Sequence, residues 1–349
     1  MDEIVAAVAY PIEFEHATLS ARITDSSRPI RVVATPYFDQ HEVRVAKARA
    51  ADDGELDAIR SREATVSSDA REGLARAEVL LALDVPVDLV ALAPRLRLVQ
   101  AAGAGVGQLR PQRLAEHGIA LTSAAGVAAD AIAEFVFARL LQVAKKLRTL
   151  DEAQRSREWQ LTVMRPLART TMVVVGLGAI GTAVAERARA FGVLVLGVRR
   201  DPSKGGPPSV EEVHGPGDLH AVLARADTVV LAAPETEATE GMIDAAAIAS
   251  IKSGAVLVNV ARGGLVEEAA LLDGLRTGRL AAAILDVTRV EPLPADSPLW
   301  DAPNLYLSPH TSAVIEDYTD RLFDLFAENL RRYAAREQLR NLVDPARGY

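Results

Sequence analysis

Gly176-Leu177-Gly178-Ala179-Ile180-Gly181 follows an apolar run at 171–175 and opens a helical pattern that begins at Ala179. Three glycines at this spacing, between a strand and a helix, make a phosphate cradle. Gly176 lets the chain turn tightly, Gly178 lets a pyrophosphate approach the backbone, and Gly181 lets helix and strand pack closely. The free N–H groups of the helix start, with the helix dipole behind them, face the phosphates. The sequence thus predicts a dinucleotide held on Gly176, Gly178, Ala179, Ile180 and Gly181. The next strand-like run, 193–198, ends in Arg199-Arg200, and Arg199 stands 18 residues after Gly181, where a carboxylate would read an unmodified ribose. A guanidinium there clamps a 2′-phosphate that a carboxylate would repel. NADP(H) is therefore the expected cofactor, with NAD(H) as the alternative.

Three further segments carry reactive groups at the ends of strand-like runs. They are Val258-Asn259-Val260-Ala261-Arg262-Gly263-Gly264, Ile284-Leu285-Asp286-Val287 followed by Glu291-Pro292-Leu293-Pro294, and Leu307-Ser308-Pro309-His310-Thr311. Ligands of open α/β sheets sit at the carboxyl ends of the strands, so these segments can deliver their polar groups to one crevice beside a cofactor. His310, after Ser-Pro at a strand end, has a context for chemistry. His16, His41, His117, His214 and His220 have none and are read as non-catalytic.

The elements that must position these groups alternate along the chain. Runs at 171–175, 193–198, 228–232, 255–260, 281–286 and 304–307 are apolar on both faces, and helical patterns fill 179–191 and 267–278. That rhythm predicts a doubly wound parallel sheet buried between helices. The first 124 residues show it less clearly, with strands at 30–34, 79–83 and 96–100 and helices at 55–62 and 70–77. Residues 4–10 read as an extra strand and the rest of 1–29 as loop, and the role of residues 1–29 stays open. A long helical pattern spans 128–150, with Asp130 and Glu134 one turn apart and Glu134 read as structural. A polar, irregular stretch follows at 151–169. Residues 201–217 read as Gly- and Pro-rich loop, and 313–336 as an amphipathic helix with Leu322, Leu325, Phe326 and Leu330 on one side.

Composition bounds the function. At 349 residues the chain exceeds one ordinary core, so two domains are expected. Its 39 basic and 47 acidic residues leave a net charge of −8, the wrong sign for a general nucleic-acid binder. The absence of cysteine excludes disulfides, thiolate metal sites and a cysteine nucleophile, and fits a cytoplasmic protein. No apolar run approaches the ~18 residues of a membrane span, and no metal site is expected. Asp2 and Glu3 open the chain where a secretory signal would be basic.

Taken together and in order, these motifs resemble the D-isomer-specific 2-hydroxyacid dehydrogenase family. The resemblance covers most of residues 75–345. It adds Ala101-Ala102-Gly103-Ala104-Gly105-Val106, Ala226-Asp227-Thr228-Val229-Val230-Leu231 and Ser297-Pro298-Leu299-Trp300 to the segments already named; residues 1–70 match poorly. It implies a catalytic triad of Arg262, Glu291 and His310. His310 would give a proton to the oxo group, Glu291 would orient its ring, and Arg262 would bind the substrate's carboxylate or carbonyl oxygen. Gly103, Ala104 and Gly105 would bind the substrate carboxylate through backbone N–H groups. Ala233, Pro234, Thr239, Val260 and Ala261 would line the cofactor together with Arg262 and His310, and Asp286 would accept from the nicotinamide carboxamide. The implied architecture is two Rossmann-like domains. A dinucleotide-binding domain at 125–312 is inserted into a substrate-binding domain formed by 1–124 and 313–349. The 128–150 helix and the arm after it resemble the family's dimer contact, so a homodimer is expected. The implied reaction is reduction of a short 2-oxo acid, such as glyoxylate or hydroxypyruvate, to the D-2-hydroxy acid. Phosphoglycerate or phosphite oxidation, and a nucleotide-sensing corepressor-like binding protein, are the alternatives. At 349 residues no room is expected for the regulatory domain that phosphoglycerate-oxidising relatives usually carry. Two departures stand out: Ser123 where the family more often has Asn, and Thr288-Arg289-Val290 in place of an aromatic-acidic run before Glu291.

Overall fold

A computed structural model describes residues 3–10, 16–50 and 52–349; the reading of His16 lies outside it at the level of the side chain. The chain divides into two compact units, one of Met1–Val127 and Glu316–Tyr349, the other of Ala128–Ile315.

Among the described residues the first unit holds a five-stranded parallel sheet: β1 (Ile4–Val8), β2 (Ile30–Ala34), β3 (Val79–Ala82), β4 (Leu98–Ala101) and β5 (Ala120–Thr122), in the order β2-β1-β3-β4-β5. β1, β3 and β4 are buried throughout, as strands covered on both faces must be. One face packs on the helix Tyr318–Ala335 through Leu322, Phe323, Phe326 and Leu330. Each of these apolar side chains contributes about 1.5–3 kcal/mol by burial, which ties the chain's last segment to its first.

The second unit holds a seven-stranded parallel sheet. Its strands are β6 (Thr171–Val175), β7 (Leu194–Val198), β8 (Glu212–His214), β9 (Thr228–Leu231), β10 (Ala255–Asn259), β11 (Leu280–Leu285) and β12 (Leu305–Leu307), in the order β12-β11-β10-β9-β6-β7-β8. The order reverses at β6, which lies between β7 and β9. This is the switch point where doubly wound sheets open a crevice. The parallel registers pair Val198 with Val175, Val175 with Leu231, Leu231 with Asn259, Asn259 with Leu285, and Leu285 with Leu307. Six strands therefore end level. The residues that follow (Arg199, Gly176, Ala232, Val260, Asp286 and Ser308) leave the sheet along one edge.

Four sequence expectations change. The 128–150 helix breaks at Lys146, whose φ of 49° is left-handed, into Ala129–Ala144 and Leu147–Ser156. The second piece runs into the stretch expected to be irregular. The 201–217 loop contains β8, a three-residue edge strand too short to show a period. The last helix starts at Tyr318 rather than 313, after a loop whose Thr311 and Ser312 amides donate to Asp286. In the first unit, helices His16–Arg22 and His41–Arg49 occupy segments read as loop or left unread.

Candidate active site

The glycine loop has the geometry its spacing requires. Gly176 sits at φ 99°, and a Cβ there would lie 2.5 Å from the Ala233 amide nitrogen. A Cβ on Gly181 would overlap the Gly176 carbonyl oxygen. A Cβ on Gly178, by contrast, would meet nothing within 4 Å, so this backbone stands open. Gly178 is also the N-cap of the helix Ala179–Ala190, and no side chain caps that start. Uncapped N–H groups before an open glycine are what a pyrophosphate needs, so the residues present fit a dinucleotide.

The neighbouring strand ends frame this loop. The Arg199 guanidinium donates to the Gly205 carbonyl (2.6 Å), and its backbone N–H donates to His214 (3.0 Å). Arg200 follows it, exposed. Thr239 Oγ1 donates to the Pro234 carbonyl (2.8 Å) and accepts from the Thr236 amide (2.8 Å), closing the turn after β9. Ala233, Val260 and Ala261 are buried, and Ile180 is half-buried.

Arg262 leaves β10 beside Asn259, a fully buried amide that donates to the Arg262 carbonyl (2.8 Å) and accepts from the Ala261 N–H (3.0 Å). The Glu235 carboxylate accepts from Gly264 N–H (3.1 Å), joining the β9 and β10 ends. Burial pulls the Arg262 guanidinium below its ordinary pKa, and the carboxylates of Glu291 and Glu235 oppose that pull.

His310 follows β12 with a φ of 51°, a left-handed conformation that costs a non-glycine residue about 1–2 kcal/mol. Asp286 holds it there. The Asp286 carbonyl accepts from His310 N–H (2.8 Å), and its carboxylate accepts from Ser308 Oγ (2.7 Å), Thr311 N–H (3.0 Å) and Ser312 N–H (3.0 Å). The ring so presented meets Glu291, with Nδ1 at 2.8 Å from Oε2. Glu291 Oε1 accepts from the Thr288 amide (3.1 Å), and the Arg289 amide donates to Glu268 (3.0 Å). Arg262, Glu291 and His310 thus gather on the carboxyl edge of the second unit's sheet.

A probe of the family's sequence pattern matches residues 137–312, described as the NAD binding domain of D-isomer specific 2-hydroxyacid dehydrogenases. The chain belongs to that family. Curated relatives include a D-3-phosphoglycerate dehydrogenase of Mycobacterium tuberculosis, 33% identical over 271 residues. That match spans 76% of this chain but 50% of the relative, so the chain spans about half the length of that relative. A glyoxylate reductase of Korarchaeum cryptofilum is 32% identical over 275 residues, covering 76% of this chain and 81% of the relative. Among solved structures, a D-isomer specific 2-hydroxyacid dehydrogenase from Xanthobacter autotrophicus, in complex with NADPH and MES, superposes with a TM-score of 0.75. It has 30% identity, and 99% of each chain is covered.

Other expected positions of this dehydrogenase-family chain lie away from that edge, in both units. Gly103, Ala104 and Gly105 follow β4, where Ala102 N–H donates to Ala82 (2.8 Å) and the Gly103 carbonyl accepts from Ala124 N–H (3.0 Å). Ser123 donates its N–H to the Asn341 carbonyl (2.9 Å), and Asn341 Nδ2 returns a bond to the Ser123 carbonyl (3.2 Å). Asp130 and Glu134 both pair with Arg187, at 3.1 and 3.4 Å. His214 pairs with Glu212 (3.1 Å) on edge strand β8. The positions that the sequence reading missed are Glu235 and Glu268, which look like surface acids in polar loops, and the Thr288 amide, which no side-chain motif reveals. Among the described residues, no group of three or more His, Asp or Glu could hold a metal, and no helix is long and apolar enough to cross a membrane.

Proposed function

We propose that the chain is an NADP-preferring D-2-hydroxyacid dehydrogenase that reduces short 2-oxo acids of the glyoxylate and hydroxypyruvate type. The observation that carries this reading is the 2.8 Å bond between His310 Nδ1 and Glu291 Oε2, on the edge that also holds Arg262 and the open glycine loop. With Nδ1 committed to Glu291, the Nε2 face of His310 is left for substrate. Glu291 is itself fixed by the Thr288 amide, so the ring keeps one orientation.

The bound cofactor would supply the hydride for the carbonyl carbon. His310 Nε2 gives a proton to the carbonyl oxygen, and accepts it back when a hydroxy acid is oxidised. Arg262 binds the anionic substrate and steadies the charge that builds on oxygen as the carbonyl opens. In the first unit, the backbone N–H groups of the Gly103–Ala104–Gly105 turn are suited to a substrate carboxylate. Gly176, Gly178 and the uncapped start of Ala179–Ala190 receive the pyrophosphate. Arg199, steadied by its bond to Gly205, reads the 2′-phosphate with Arg200 beside it. Asp286, which holds the His310 loop, would accept from the carboxamide of a bound cofactor.

The arm after the helix Leu147–Ser156 supports a homodimer. Trp159 is fully exposed, and Leu161 and Val163 nearly so, at alternating positions of a segment with neither helix nor strand. A second copy of the chain is the proposed cover.

A panel of 2-oxo acids of graded length, each with NADPH and NADH, tests the reading, with 3-phosphoglycerate and NADP+ or NAD+ in the reverse direction. Turnover of glyoxylate or hydroxypyruvate, faster with NADPH, supports it. Preference for phosphoglycerate replaces the substrate class, and no turnover at high protein concentration overturns the reading in favour of a binding protein.

A further inference from the structure

A cluster of charges that the proposed reaction does not use lies sealed inside the first unit. Lys47, on the helix His41–Arg49, is almost wholly buried. Its ammonium group donates to the Asp39 carboxylate, the Val85 carbonyl (2.7 Å) and Tyr37 Oη (3.2 Å). It also pairs with Glu63 (2.7 Å) and stands 3.6 Å from Asp84. The acids then take up backbone. Asp39 accepts from Ala64 N–H (2.6 Å), Glu63 from Val87 N–H (2.8 Å), and Asp84 from Val85 N–H (2.8 Å) and Asp39 N–H (3.3 Å). Three segments, at 37–39, 63–64 and 84–87, are thereby tied to one ammonium on a fourth.

Two of those segments are the exits of β2 and β3, on the edge where the Gly103–Ala104–Gly105 turn also leaves the sheet. The coupling to that turn is direct. Gln108 Nε2, four residues past Ala104, donates to the Leu83 carbonyl (2.9 Å), and the Leu83 side chain covers Gly103. Leu83 sits next to Asp84, so a shift of the β3 exit moves the floor under the turn.

Three carboxylates around one ammonium are a costly way to hold a fold. A buried ion group of this kind is commonly replaced by apolar residues without loss of stability, which makes geometry the better account of its presence. The excess negative charge falls on Asp84, whose carboxyl is pushed up to about 7 by burial first and by Asp39. Lys47 and the Val85 amide oppose that rise. Asp39 stays below its ordinary value, because the Ala64 amide and Lys47 outweigh its burial. The charged and titratable groups around Asp84 are Tyr37 and Asp39 from the β2 exit, Lys47 from its helix, and Glu63 from the turn after Asp53–Arg60. Arg110 and Arg113 line the far wall of a cavity of about 30 Å³ beside Lys47.

We propose that Lys47, Asp39, Glu63 and Asp84 are positioning residues for the anion-binding turn at 103–105, and that a proton on Asp84 tightens their grip. The inference rests on the dehydrogenase reading for its substrate, though not for its chemistry. With Asp84 protonated, Asp39 and Asp84 cease to repel, and the exits of β2 and β3 stay close. Loss of the proton above neutrality loosens them and weakens substrate binding, with no effect on the proton and hydride steps.

The test compares wild type with Asp84→Asn from pH 6 to 8, using glyoxylate as the probe substrate. Dividing one KM profile by the other cancels every titration the two proteins share. The ratio of wild-type to variant KM should be near one at pH 6 and rise about threefold to tenfold by pH 8, while the kcat ratio and NADPH affinity stay level. A flat KM ratio, or a kcat that moves with it, overturns the proposal. Lys47→Met should raise KM at every pH, and Lys47→Met with Asp84→Asn should recover part of the loss. If Lys47→Met does not fold, the Asp84→Asn comparison stands by itself. Hydrogen exchange of residues 83–87 and 102–108 separates the two readings, because it needs no turnover. Exchange there that rises with pH beyond its intrinsic rate in wild type, and not in Asp84→Asn, supports the positioning role even in a protein that reduces nothing. Equal exchange in both sinks it.

Discussion

The carboxyl edges of the two sheets hold similar side chains in opposite states. In the second unit His310 and Glu291 are 45% and 26% exposed and meet each other in a single bond. In the first unit Lys47 and Asp39 are 2% and 0% exposed and are bonded on every side. An acid-base pair that must exchange a proton with substrate needs solvent reach and spare valence. A cluster that only fixes loops can be sealed, since its bonds are satisfied internally. The polar residues behind the exposed pair follow the second pattern. Asn259 and Asp286 are buried, and they spend their hydrogen bonds on backbone and, for Asp286, also on the Ser308 hydroxyl.

That contrast predicts a hierarchy of effects. His310→Asn should lower kcat by about 10²–10⁴-fold, the usual worth of a general acid, and leave NADPH affinity unchanged in a fluorescence titration. Retained turnover would remove the exposed pair from the chemistry. Arg199→Ser should cost NADPH about 10–100-fold in affinity, the worth of a charge-assisted phosphate contact, and leave NADH nearly unaffected. Equal losses for both cofactors would make Arg199 a loop brace instead. Asn259→Ala should cost about 1–3 kcal/mol in chemical denaturation by leaving the Ala261 amide without its acceptor. If stability is unchanged, the buried polar residues behind the site do not brace it.

A pH-dependent effect concerns the sealed cluster. The Asp84 carboxyl is raised in the folded protein to about 7 from 3.8, so between these values the folded state binds the extra proton. Its contribution to stability is complete below about pH 4 and is lost as pH rises through about 7. The wild-type melting temperature should therefore fall across this window relative to that of Asp84→Asn. Parallel curves would show that Asp84 carries no such proton.

The two edges also differ in how much of them can be read from residues alone. β6, the glycine loop and the helix after it are legible because a buried strand, a turn and a helix start follow one another within a few positions. His310 is legible through its strand-end setting. The Lys47 cluster is not, because its members run from Tyr37 to Val85 and only the crossing of strand exits brings them together. Lys47 in isolation reads as a solvated lysine on a weakly patterned helix. β8 escapes notice because three residues show no period, and Glu235 because an acid in a polar loop predicts exposure rather than a bond to Gly264.

The backbone at His310 also limits which replacements there can be interpreted. At a φ of 51°, asparagine and glycine are at home, whereas a β-branched side chain would distort the loop clamped by Asp286. A valine at 310 would confound lost chemistry with a displaced strand end. A single base of drift toward asparagine, by contrast, would silence proton transfer and leave an intact nucleotide binder behind.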